Sequence, residues 1–513
     1  MLDFSLQLQQ RYENSTGTEH RKRKGQVFTP LEIARFMASL FSAIPSEYHL
    51  LDPGAGIGTL TAAVCERVAP LRSPRRLVAH LFENDSQITP LLRKNLDHCR
   101  RVLREAGHSF EYVIHEEDFI LAAPSSANRQ RTFDDIFLEV QFDGVIMNPP
   151  YFKVRKDSHY ARLMDRIVHG QPNVYAFFMA LAARFLKEQG ELVAITPRSF
   201  CNGAYFRGFR KWFFERMGLD HIHLFESRTD TFKHSSVLQE SIITKTHRLG
   251  EPSGTITVTA SFGRDLDDEL ARSDVPASSI MDNSCGDHVV RVPEKPEDHD
   301  IVTLVESLPD RFADIGLRIS TGPVVLFRAT EFLVCDPHAK ASVPLLLPHN
   351  IKPFETLWPV RKNGKPAALR LADESRRLLI PTRNYVLLKR FSAKEERRRL
   401  TAACFLRVQH SVSHIGIENH VNYVYHAERE LSEDEVYGIA ALFNSALFDR
   451  YFRTLSGNTQ VNATEVRAMK FPQMKTLGKI GRRVKENVAQ TEAIVLSELG
   501  VGTALRKHLL AVK

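Results

Sequence analysis

Between His49 and Thr246 the chain alternates short apolar runs with amphipathic stretches of helical length. The runs are rich in Val, Ile, Leu and Phe, which predicts strands, whereas the stretches between them have helical periodicity. The predicted strands are His49–Asp52, Leu77–Phe82, Phe110–Ile114, Asp143–Met147, Leu192–Ile195, His221–Phe225 and Val237–Thr244. The predicted helices are Gly58–Val68, Ile88–Ala106, Asn173–Lys187 and Ala204–Met217. This alternation predicts a doubly wound α/β sheet, which binds ligands at the carboxyl ends of its strands.

The pattern changes near Gly250 and predicts a second folding unit. Short strands and helices are mixed there, with a clear helix from Glu433 to Leu455 and a basic helical piece near Lys475–Leu499. A length of 513 residues fits two or three domains. The expected segments are a basic N-terminal segment (1–24), an α/β domain (25–250), an acidic connecting region (251–300) and an α+β domain (301–513).

Composition excludes several classes of protein. An apolar content of 43% with 25% charged residues is ordinary for a globular chain, so disorder is not expected. No apolar stretch is long enough to span a membrane and the start lacks a signal-peptide layout, which predicts a cytoplasmic protein with no membrane partner. The six cysteines are far apart, so neither disulfides nor a zinc site is expected; they are Cys65, Cys99, Cys201, Cys285, Cys335 and Cys404.

Charge is distributed unevenly along the chain. The formal net charge is +8 and the pI about 9.1, which is compatible with a polyanionic partner. Residues 351–400 contain 14 Lys and Arg against 5 Asp and Glu, whereas residues 251–300 contain 4 against 12. This segregation favours one segment that faces phosphate and another that faces away. Two oppositely charged exposed faces without a ligand are the alternative.

A glycine-rich turn follows the first predicted strand, in the sequence Leu50-Leu51-Asp52-Pro53-Gly54-Ala55-Gly56-Ile57-Gly58. The glycines let the backbone approach a ligand closely, and the helix start presents free amide groups. Dinucleotide-binding proteins cradle pyrophosphate in a similar turn. Here Asp52 would repel phosphate and attract an ammonium group. The turn therefore predicts a pocket for a cofactor that carries an amino acid.

Acidic residues follow the next two predicted strands. Glu83 lies 25 residues after Gly58 at the end of Leu77–Phe82, where an acid can accept hydrogen bonds from both hydroxyls of a ribose. Asp118 follows Phe110–Ile114 and could accept a hydrogen bond from an adenine amine. Either acid alone fits a surface charge, but in this order after the glycine turn they predict a cofactor pocket.

The sequence Asn148-Pro149-Pro150-Tyr151 directly follows an apolar strand. The exocyclic amine of adenine is a poor nucleophile because its lone pair is delocalised into the ring. If the Asn148 side-chain oxygen and the Pro149 carbonyl each accept one amine hydrogen, the nitrogen can pyramidalise and attack a sulfonium methyl group in line. The two prolines restrict the backbone, and Tyr151 offers a ring on which an extruded base can stack. A strand-to-loop turn with a tyrosine lid is the alternative.

Together these motifs resemble the class I S-adenosylmethionine-dependent adenine-N6 DNA methyltransferases of restriction-modification systems, of the Eco57I type with the gamma order of motifs. The family's N-terminal cofactor segment is matched by Gly25-Gln26-Val27-Phe28-Thr29-Pro30. The specific motifs cover roughly residues 20–245. Further on, Asn419–Tyr423 and Ser456–Asn462 are similar to recognition-domain segments of PstI/BsuBI-like modification methylases.

The resemblance implies a Rossmann-like methyltransferase sheet followed by a C-terminal α+β target-recognition domain. Its implied cofactor is S-adenosylmethionine, with no metal. The implied cofactor contacts are Phe28, Thr29, Pro30, Asp52, Gly54, Gly56, Glu83, Asp118 and Asn148, with Asp52 and the glycines at the methionine part, Glu83 at the ribose and Asp118 at the adenine. The implied base contacts are Asn148, Pro149, Tyr151 and Phe206, with Tyr205 or Phe200 as alternatives to Phe206.

The expected activity is methylation of a flipped-out adenine in double-stranded DNA by a monomer, with a separately encoded restriction endonuclease as its partner. No Pro-Cys dipeptide supplies a nucleophile for carbon-5 methylation of cytosine, and no phosphate loop of a translocase is present. One alternative is a ribosomal-RNA adenine or protein-glutamine methyltransferase; the long basic C-terminal half favours DNA. The other is a catalytically silent DNA-binding defence subunit, against which the intact Asp52, Glu83, Asn148 and Tyr151 argue.

Three polar segments are candidates for DNA contact. The stretch Lys389–Arg399 is expected to contact phosphate. The side chains of Asn458, Gln460 and Asn462 either read bases or build their loop. The run Arg21–Lys24 either grips phosphate beside the flipped base or forms a solvated tail.

Overall fold

The structure is a computed structural model and describes residues 1–16, 27–122, 141–155, 157–164, 173–225, 241–248, 254–261, 266, 271–282, 286, 288–293, 298–360, 364–392, 396–409, 411–455 and 460–511. The chain divides into two compact units, Met1–Arg291 and Val292–Lys513. We expected residues 251–300 to connect two domains, and the division falls inside that range. The expected run Arg21–Lys24 lies outside the described residues.

The first unit is built on a nine-stranded sheet with the order β3-β2-β1-β4-β5-β7-β6-β8-β9. Its strands are β1 (Glu47–Pro53), β2 (Arg76–Phe82), β3 (Ser109–His115), β4 (Phe142–Met147), β5 (Leu186–Pro197), β6 (Met217–Phe225), β7 (Ser241–Arg248), β8 (Thr255–Ser261) and β9 (Ala271–Pro276). β1 pairs in parallel with both β2 and β4, and β7 runs antiparallel between β5 and β6. The strand order reverses between β1 and β4, and ligands of doubly wound sheets bind at such a point.

Eight α-helices flank this sheet within the described residues. They are α1 (Leu2–Ser15), α2 (Leu31–Ser39), α3 (Thr59–Val68), α4 (Thr89–Glu105), α5 (His159–Met164), α6 (Val174–Arg184), α7 (Arg207–Phe214) and α8 (Ala277–Ile280). α3 and α6 are apolar around most of their circumference and are buried along most of their length. α1 to α4 share one apolar core with the central strands. The predicted Rossmann-like doubly wound α/β fold is confirmed.

Both ends of this unit differ from the expected segments. β8 pairs in parallel with β6, and β9 pairs antiparallel with β8, so part of the expected connecting region extends the sheet. At the other end, α1 buries Leu2, Leu8 and Tyr12, and the Tyr12 hydroxyl donates to Asp85 at 3.1 Å. The first residues of the expected basic segment therefore form a helix of the first unit's core.

The second unit combines a six-stranded and a five-stranded sheet with seven α-helices in its described residues. The sheet orders are β13-β23-β20-β21-β17-β16 and β14-β18-β15-β22-β19. The longer of these strands are β13 (Leu317–Thr321), β15 (Ser342–Leu346), β20 (Tyr385–Lys389), β21 (Ala402–Phe405), β22 (His414–Ile417) and β23 (Val421–His426). The shorter ones are β14 (Leu333–Val334), β16 (Ile351–Lys352), β17 (Phe354–Thr356), β18 (Ala368–Arg370) and β19 (Leu379–Pro381). The predicted α+β class is confirmed.

Two strand pairs lie outside these sheets: β10 (Met281–Asp282) with β11 (Val289–Val290) in the first unit, and β12 (Asp310–Arg311) with β24 (Lys470–Phe471) in the second. The helices of the second unit are α9 (Asp298–Glu306), α10 (Glu433–Asn444), α11 (Ala446–Leu455), α12 (Ala463–Ala468), α13 (Met474–Glu486), α14 (Thr491–Glu498) and α15 (Thr503–Ala511). Alternation along β20 separates two cores, with Val386 and Leu388 in the helix-covered one and Leu387 in the other.

The long helix expected from Glu433 to Leu455 is broken at Ser445. This residue has an extended backbone, and its hydroxyl donates to the Leu442 carbonyl and accepts from the Phe448 amide. Ser445 therefore ends one helix and caps the next, which apolar periodicity alone does not show. The basic piece near Lys475–Leu499 likewise forms two helices, α13 and α14.

None of the helices described is both long and apolar enough to cross a membrane. Nor do the described residues contain a group of three or more His, Cys, Asp or Glu side chains that could hold a metal ion.

Candidate active site

The turn between β1 and α3 lies at the carboxyl edge of the sheet. The amides of Gly54 and Ala55 both donate to the Phe82 carbonyl, with N–O distances of 2.9 Å. Gly56 has a φ of +57°, which residues with a side chain rarely adopt, and a Cβ atom there would lie 3.5 Å from the Phe28 ring. The turn thus brings bare backbone close to Phe28.

Glu83, directly after β2, stabilises this turn through hydrogen bonds to its carboxylate. Its Oε2 accepts from the Gly56 amide at 2.9 Å, and its Oε1 accepts from the Asp85 amide at 2.8 Å. The side chain is buried and lines a cavity of about 280 Å³. A carboxylate can accept about four hydrogen bonds, so holding the turn is compatible with binding a ligand hydroxyl.

Asp118 lies after β3 and lines the same cavity. Its Oδ1 accepts from the amides of Ile120 and Leu121, at 3.0 and 3.1 Å. Its Oδ2 accepts from the Tyr160 hydroxyl at 2.6 Å and from the Asn84 amide group at 3.3 Å. The acceptor positions of this carboxylate are therefore all engaged by protein donors.

Asp52 is fully buried at the end of β1 and does not line the cavity. Its Oδ2 accepts from the Thr61 hydroxyl at 2.7 Å, whereas its Oδ1 has no hydrogen-bond partner among the described residues. Burial raises the pKa of Asp52 to about 7; hydrogen bonds from Thr61 oppose the rise, and the charge of Glu83 adds to it. An unpartnered buried carboxylate oxygen is costly, and a cationic ligand group would relieve that cost.

Asn148, at the end of β4, has its amide group held in one orientation. Its Nδ2 donates to the Val27 carbonyl at 2.9 Å and to the Thr29 hydroxyl at 3.0 Å. Both amide hydrogens are therefore engaged, and Oδ1 remains as the acceptor. Asn148 and Thr29 both line the cavity, so this acceptor lies beside the glycine turn.

Tyr151 contacts the same amide from the other end of its loop. Its hydroxyl lies 2.5 Å from Asn148 Oδ1 and 2.9 Å from the Ile195 carbonyl oxygen. Burial raises the pKa of Tyr151 above its ordinary range, so the hydroxyl keeps its single proton and donates to one of these acceptors at a time. The ring of Tyr151 meets that of Tyr175 edge-on, with 6.3 Å between centroids.

The cavity unites most of the implied cofactor contacts. Phe28, Thr29, Gly54, Gly56, Glu83, Asp118 and Asn148 line it, whereas Pro30, Asp52, Pro149, Tyr151 and Phe206 do not. Pro30 instead caps the start of α2. Lining residues that the sequence did not indicate include Asn84, Phe152, Tyr160 and Phe178. Two of these had a signal, because Asn84 directly follows Glu83 and Phe152 directly follows Tyr151 in the sequence.

Phe206, implied to stack on the base, is packed inside the protein. It is 8% exposed, and its ring stacks on Tyr175 at 5.5 Å between centroids. Phe200 is 1% exposed, whereas Tyr205 is 69% exposed. The ring of Tyr205 is therefore accessible to a base in this conformation, whereas the ring face of Phe206 is covered by Tyr175.

Among the candidate base readers, Asn462 has a structural role. At the start of α12 its backbone amide donates to Glu465 Oε2 at 3.2 Å and its side-chain amide group donates to Glu465 Oε1 at 3.3 Å, which favours the loop-building interpretation. The side-chain oxygen of Gln460 accepts from the Arg390 guanidinium at 3.3 Å. Asn458 lies outside the described residues.

The basic stretch Lys389–Arg399 is described except for residues 393–395, and its described side chains differ in exposure. Arg399 is 1% exposed, its backbone amide donates to Asp449, and its guanidinium lies over the Phe452 ring. Arg397 is exposed. The expectation of phosphate contact is therefore wrong for Arg399, and Arg397 is the accessible member of the triple arginine.

The chain is similar to a known protein family and to two type II methyltransferases. Residues 60–232 match the family model described as Eco57I restriction-modification methylase. The chain is 33% identical to the type II methyltransferase M.PstI of Providencia stuartii over 476 residues, covering 92% of this chain and 91% of that protein. It is also 33% identical to the type II methyltransferase M.BsuBI of Bacillus subtilis over 485 residues, covering 92% of each.

Among solved structures, the type IIG restriction endonuclease BpuSI overlaps with a TM-score of 0.46 at 14% identity, covering 96% of this chain and 66% of that one. An overlap of that size adds nothing to the assignment. The assignment rests on the two relatives, which align over nearly the whole of this chain. The chain therefore belongs to the Eco57I-type restriction-modification methylases, the family of the type II methyltransferases M.PstI and M.BsuBI.

Proposed function

We propose that this protein transfers the methyl group of S-adenosylmethionine to the N6 amine of an adenine flipped out of double-stranded DNA. The observation that carries the proposal is the fixed amide of Asn148. Because Val27 and Thr29 engage both of its hydrogens, the amide turns only an acceptor toward a substrate. An amine donor fits that acceptor, and a ring nitrogen or carbonyl acceptor does not.

The cavity residues fit S-adenosylmethionine, together with Asp52, which does not line the cavity but lies two residues before the lining residue Gly54. The unpartnered, buried oxygen of Asp52 suits the ammonium group of an amino acid. Glu83 would accept from the ribose hydroxyls and Asp118 from the adenine amine, and the turn at Gly54 and Gly56 would follow the methionine part. When bound, the cofactor supplies an electrophilic methyl group on a cationic sulfur, which leaves as a neutral thioether.

The loop after β4 would prepare the acceptor amine. Asn148 Oδ1 and the Pro149 carbonyl each accept one N6 hydrogen, which draws the nitrogen out of the plane of the base. Its lone pair then localises and can form the new bond to carbon. The proton that the nitrogen loses is already directed at one of these two oxygens, from which it passes to water.

Tyr151 would act on both the amide and the base. Its hydroxyl meets Asn148 Oδ1 at 2.5 Å, and a carbonyl oxygen has a second lone pair for the amine. Its ring would stack on the extruded base, which replaces part of the stacking lost on leaving the duplex.

DNA is the favoured substrate class because M.PstI and M.BsuBI align over 92% of this chain and are type II methyltransferases. A ribosomal-RNA or protein-glutamine substrate does not account for similarity that continues through the second unit. We assign that unit, Val292–Lys513, the role of target recognition. A catalytically silent DNA-binding subunit is disfavoured, because Asp52, Glu83, Asn148 and Tyr151 are all present and the side chain of Asn148 is fixed by a hydrogen bond to the Val27 carbonyl.

Product identity tests this proposal. Purified protein is incubated with S-adenosylmethionine carrying a trideuterated methyl group and with genomic duplex DNA, ribosomal RNA or a glutamine peptide in separate reactions. Mass spectrometry of the digested products should find labelled N6-methyladenine from the DNA alone. Label on a cytosine, on RNA or on the peptide would contradict the proposal, as would no label on any substrate.

A further inference from the structure

We propose that the Tyr160 hydroxyl occupies, in the free protein, the position on Asp118 that the 6-amine of the cofactor takes when it binds. Tyr160 would therefore be a selectivity residue that the ligand displaces. This inference rests on the proposed function, because it takes the cavity ligand to be an adenosine derivative. It concerns a residue on α5, beyond the motifs that the sequence indicates.

The contacts of Asp118 leave no acceptor position for a ligand. Two backbone amides donate to Oδ1, and Tyr160 and Asn84 donate to Oδ2. A carboxylate offers about four lone-pair positions, so an incoming amine must replace one of these donors. Tyr160 and Asn84 both line the cavity, so both are placed where a ligand could replace them.

Tyr160 is the donor that can leave. The two backbone amides are fixed in a turn, because the amides of Leu121 and Ala122 also donate to the Asp118 backbone carbonyl, at 3.0 and 2.8 Å. Asn84 makes the weaker contact with Oδ2, at 3.3 Å against 2.6 Å for Tyr160, so replacement of Asn84 by the amine is the competing outcome, which unchanged binding by Tyr160→Phe would show. Tyr160 is half-buried, so rotation of its side chain can bring the hydroxyl from Asp118 to water.

The same contact keeps Tyr160 a donor. Burial, the hydrogen bond to Asp118 and the charge of that carboxylate raise the pKa of Tyr160 above its ordinary range. The hydroxyl thus presents a proton to Asp118, as the 6-amine of an adenine would. A ligand without this amine cannot replace it and would leave the pair intact.

Replacement of Tyr160 has a measurable consequence. The tyrosine hydrogen bond must break before the amine binds, so it lowers the affinity for an amine-bearing ligand. A net hydrogen-bond contribution of typical size corresponds to roughly 3- to 10-fold in affinity. Removing the hydroxyl should therefore tighten binding, which is the reverse of what loss of a direct ligand contact does.

Calorimetric titration of the full chain tests the inference. The probes are S-adenosylhomocysteine and its analogue with hydrogen in place of the 6-amine, and the variants are Tyr160→Phe and Tyr112→Phe. Tyr112 is the matched control because its hydroxyl also donates to an aspartate, Asp97, at 2.7 Å, and it does not line the cavity. Tyr160→Phe should bind S-adenosylhomocysteine about 3- to 10-fold more tightly than the wild type does and leave the affinity for the analogue unchanged.

Other results overturn the inference. Weaker or unchanged binding of S-adenosylhomocysteine by Tyr160→Phe would show that the amine does not replace the hydroxyl. Equal tightening for both probes, or tightening in Tyr112→Phe as well, would show that the amine is not the cause. These results would leave the proposed function intact. If the wild-type protein did not bind S-adenosylhomocysteine at all, both the proposed cofactor and this inference would be refuted.

Discussion

Replacing Thr29 with valine should slow methyl transfer without weakening the binding of DNA. The Thr29 hydroxyl accepts from Asn148 Nδ2 at 3.0 Å, and the side chain is 5% exposed. Valine has nearly the same shape, so the substitution removes one hydrogen bond and leaves packing in place. Asn148 would then keep its contacts with the Val27 carbonyl at 2.9 Å and the Tyr151 hydroxyl at 2.5 Å, but one of its amide hydrogens would lack an acceptor and its orientation would be less firmly fixed.

The size of the effect follows from the hydrogen bond that is lost. A partly buried N–H group that loses its acceptor costs about 1 to 2 kcal/mol. If that energy no longer holds Asn148 Oδ1 toward the amine, the rate of the chemical step should fall roughly 5- to 30-fold. Thr29→Ser keeps the acceptor and should remain within about 3-fold of the wild-type rate.

Single-turnover methylation at saturating DNA and cofactor measures the chemical step directly. The affinity for S-adenosylhomocysteine, measured separately, tests the other role implied for Thr29, direct contact with the cofactor. A wild-type rate for Thr29→Val would refute the positioning role. A loss confined to cofactor affinity would refute it too, and a serine variant as slow as the valine variant would assign the effect to packing.

Three further predictions test other parts of the site and fold. Because the pKa of Asp52 is about 7 and only its ionised form attracts an ammonium group, the affinity for S-adenosylmethionine should fall as the pH drops below 7. Asp52→Asn should bind S-adenosylmethionine weakly, and its affinity should not change with pH over this range. Arg397→Ala should weaken DNA binding and reduce the slope of the logarithm of the binding constant against that of the salt concentration by about 1. Arg399→Ala should instead lower the free energy of unfolding by about 1 to 3 kcal/mol. Weaker DNA binding in Arg399→Ala with unchanged stability would contradict the burial of Arg399. Gly58→Ala should lower the free energy of unfolding by about 1 to 3 kcal/mol in denaturant titrations, because its φ is +80° and the new Cβ atom would lie 2.7 Å from a leucine side chain. The control Gly500→Ala also has a positive φ, +67°, but its new Cβ atom would meet open space, so it should destabilise the protein less.

The middle of the sheet could be predicted because its strands β1, β2 and β4 are largely apolar and mostly buried. β1 and β4 are apolar runs that end in polar motifs, and their parallel pairing brings those motifs to one edge. β8 and β9 could not be predicted in the same way. β9 contains Ser273 and Asp274 and pairs with a single neighbour, so long-range pairing rather than local periodicity places it in the sheet.

Site residues that follow a strand could be predicted from the sequence. Site residues that tertiary packing brings to the cavity from elsewhere could not. Glu83, Asp118 and Asn148 line the cavity because each comes directly after its strand or a few residues later. Tyr160 reaches the cavity from a short helix whose position no local pattern indicates. Arg399 shows the opposite error, because a run of charge predicts exposure whereas contacts with Asp449 and Phe452 keep this side chain inside.

The most direct test of the account is the single-turnover rate of Asn148→Ala. The amide oxygen of Asn148 should lower the barrier only in the chemical step, so the rate should fall by at least ~10²-fold while DNA and S-adenosylhomocysteine bind within about 3-fold of the wild type. Asn487→Ala, which changes an exposed asparagine between α13 and α14, is the matched control and should keep the wild-type rate. A near-normal rate in Asn148→Ala would contradict the central claim.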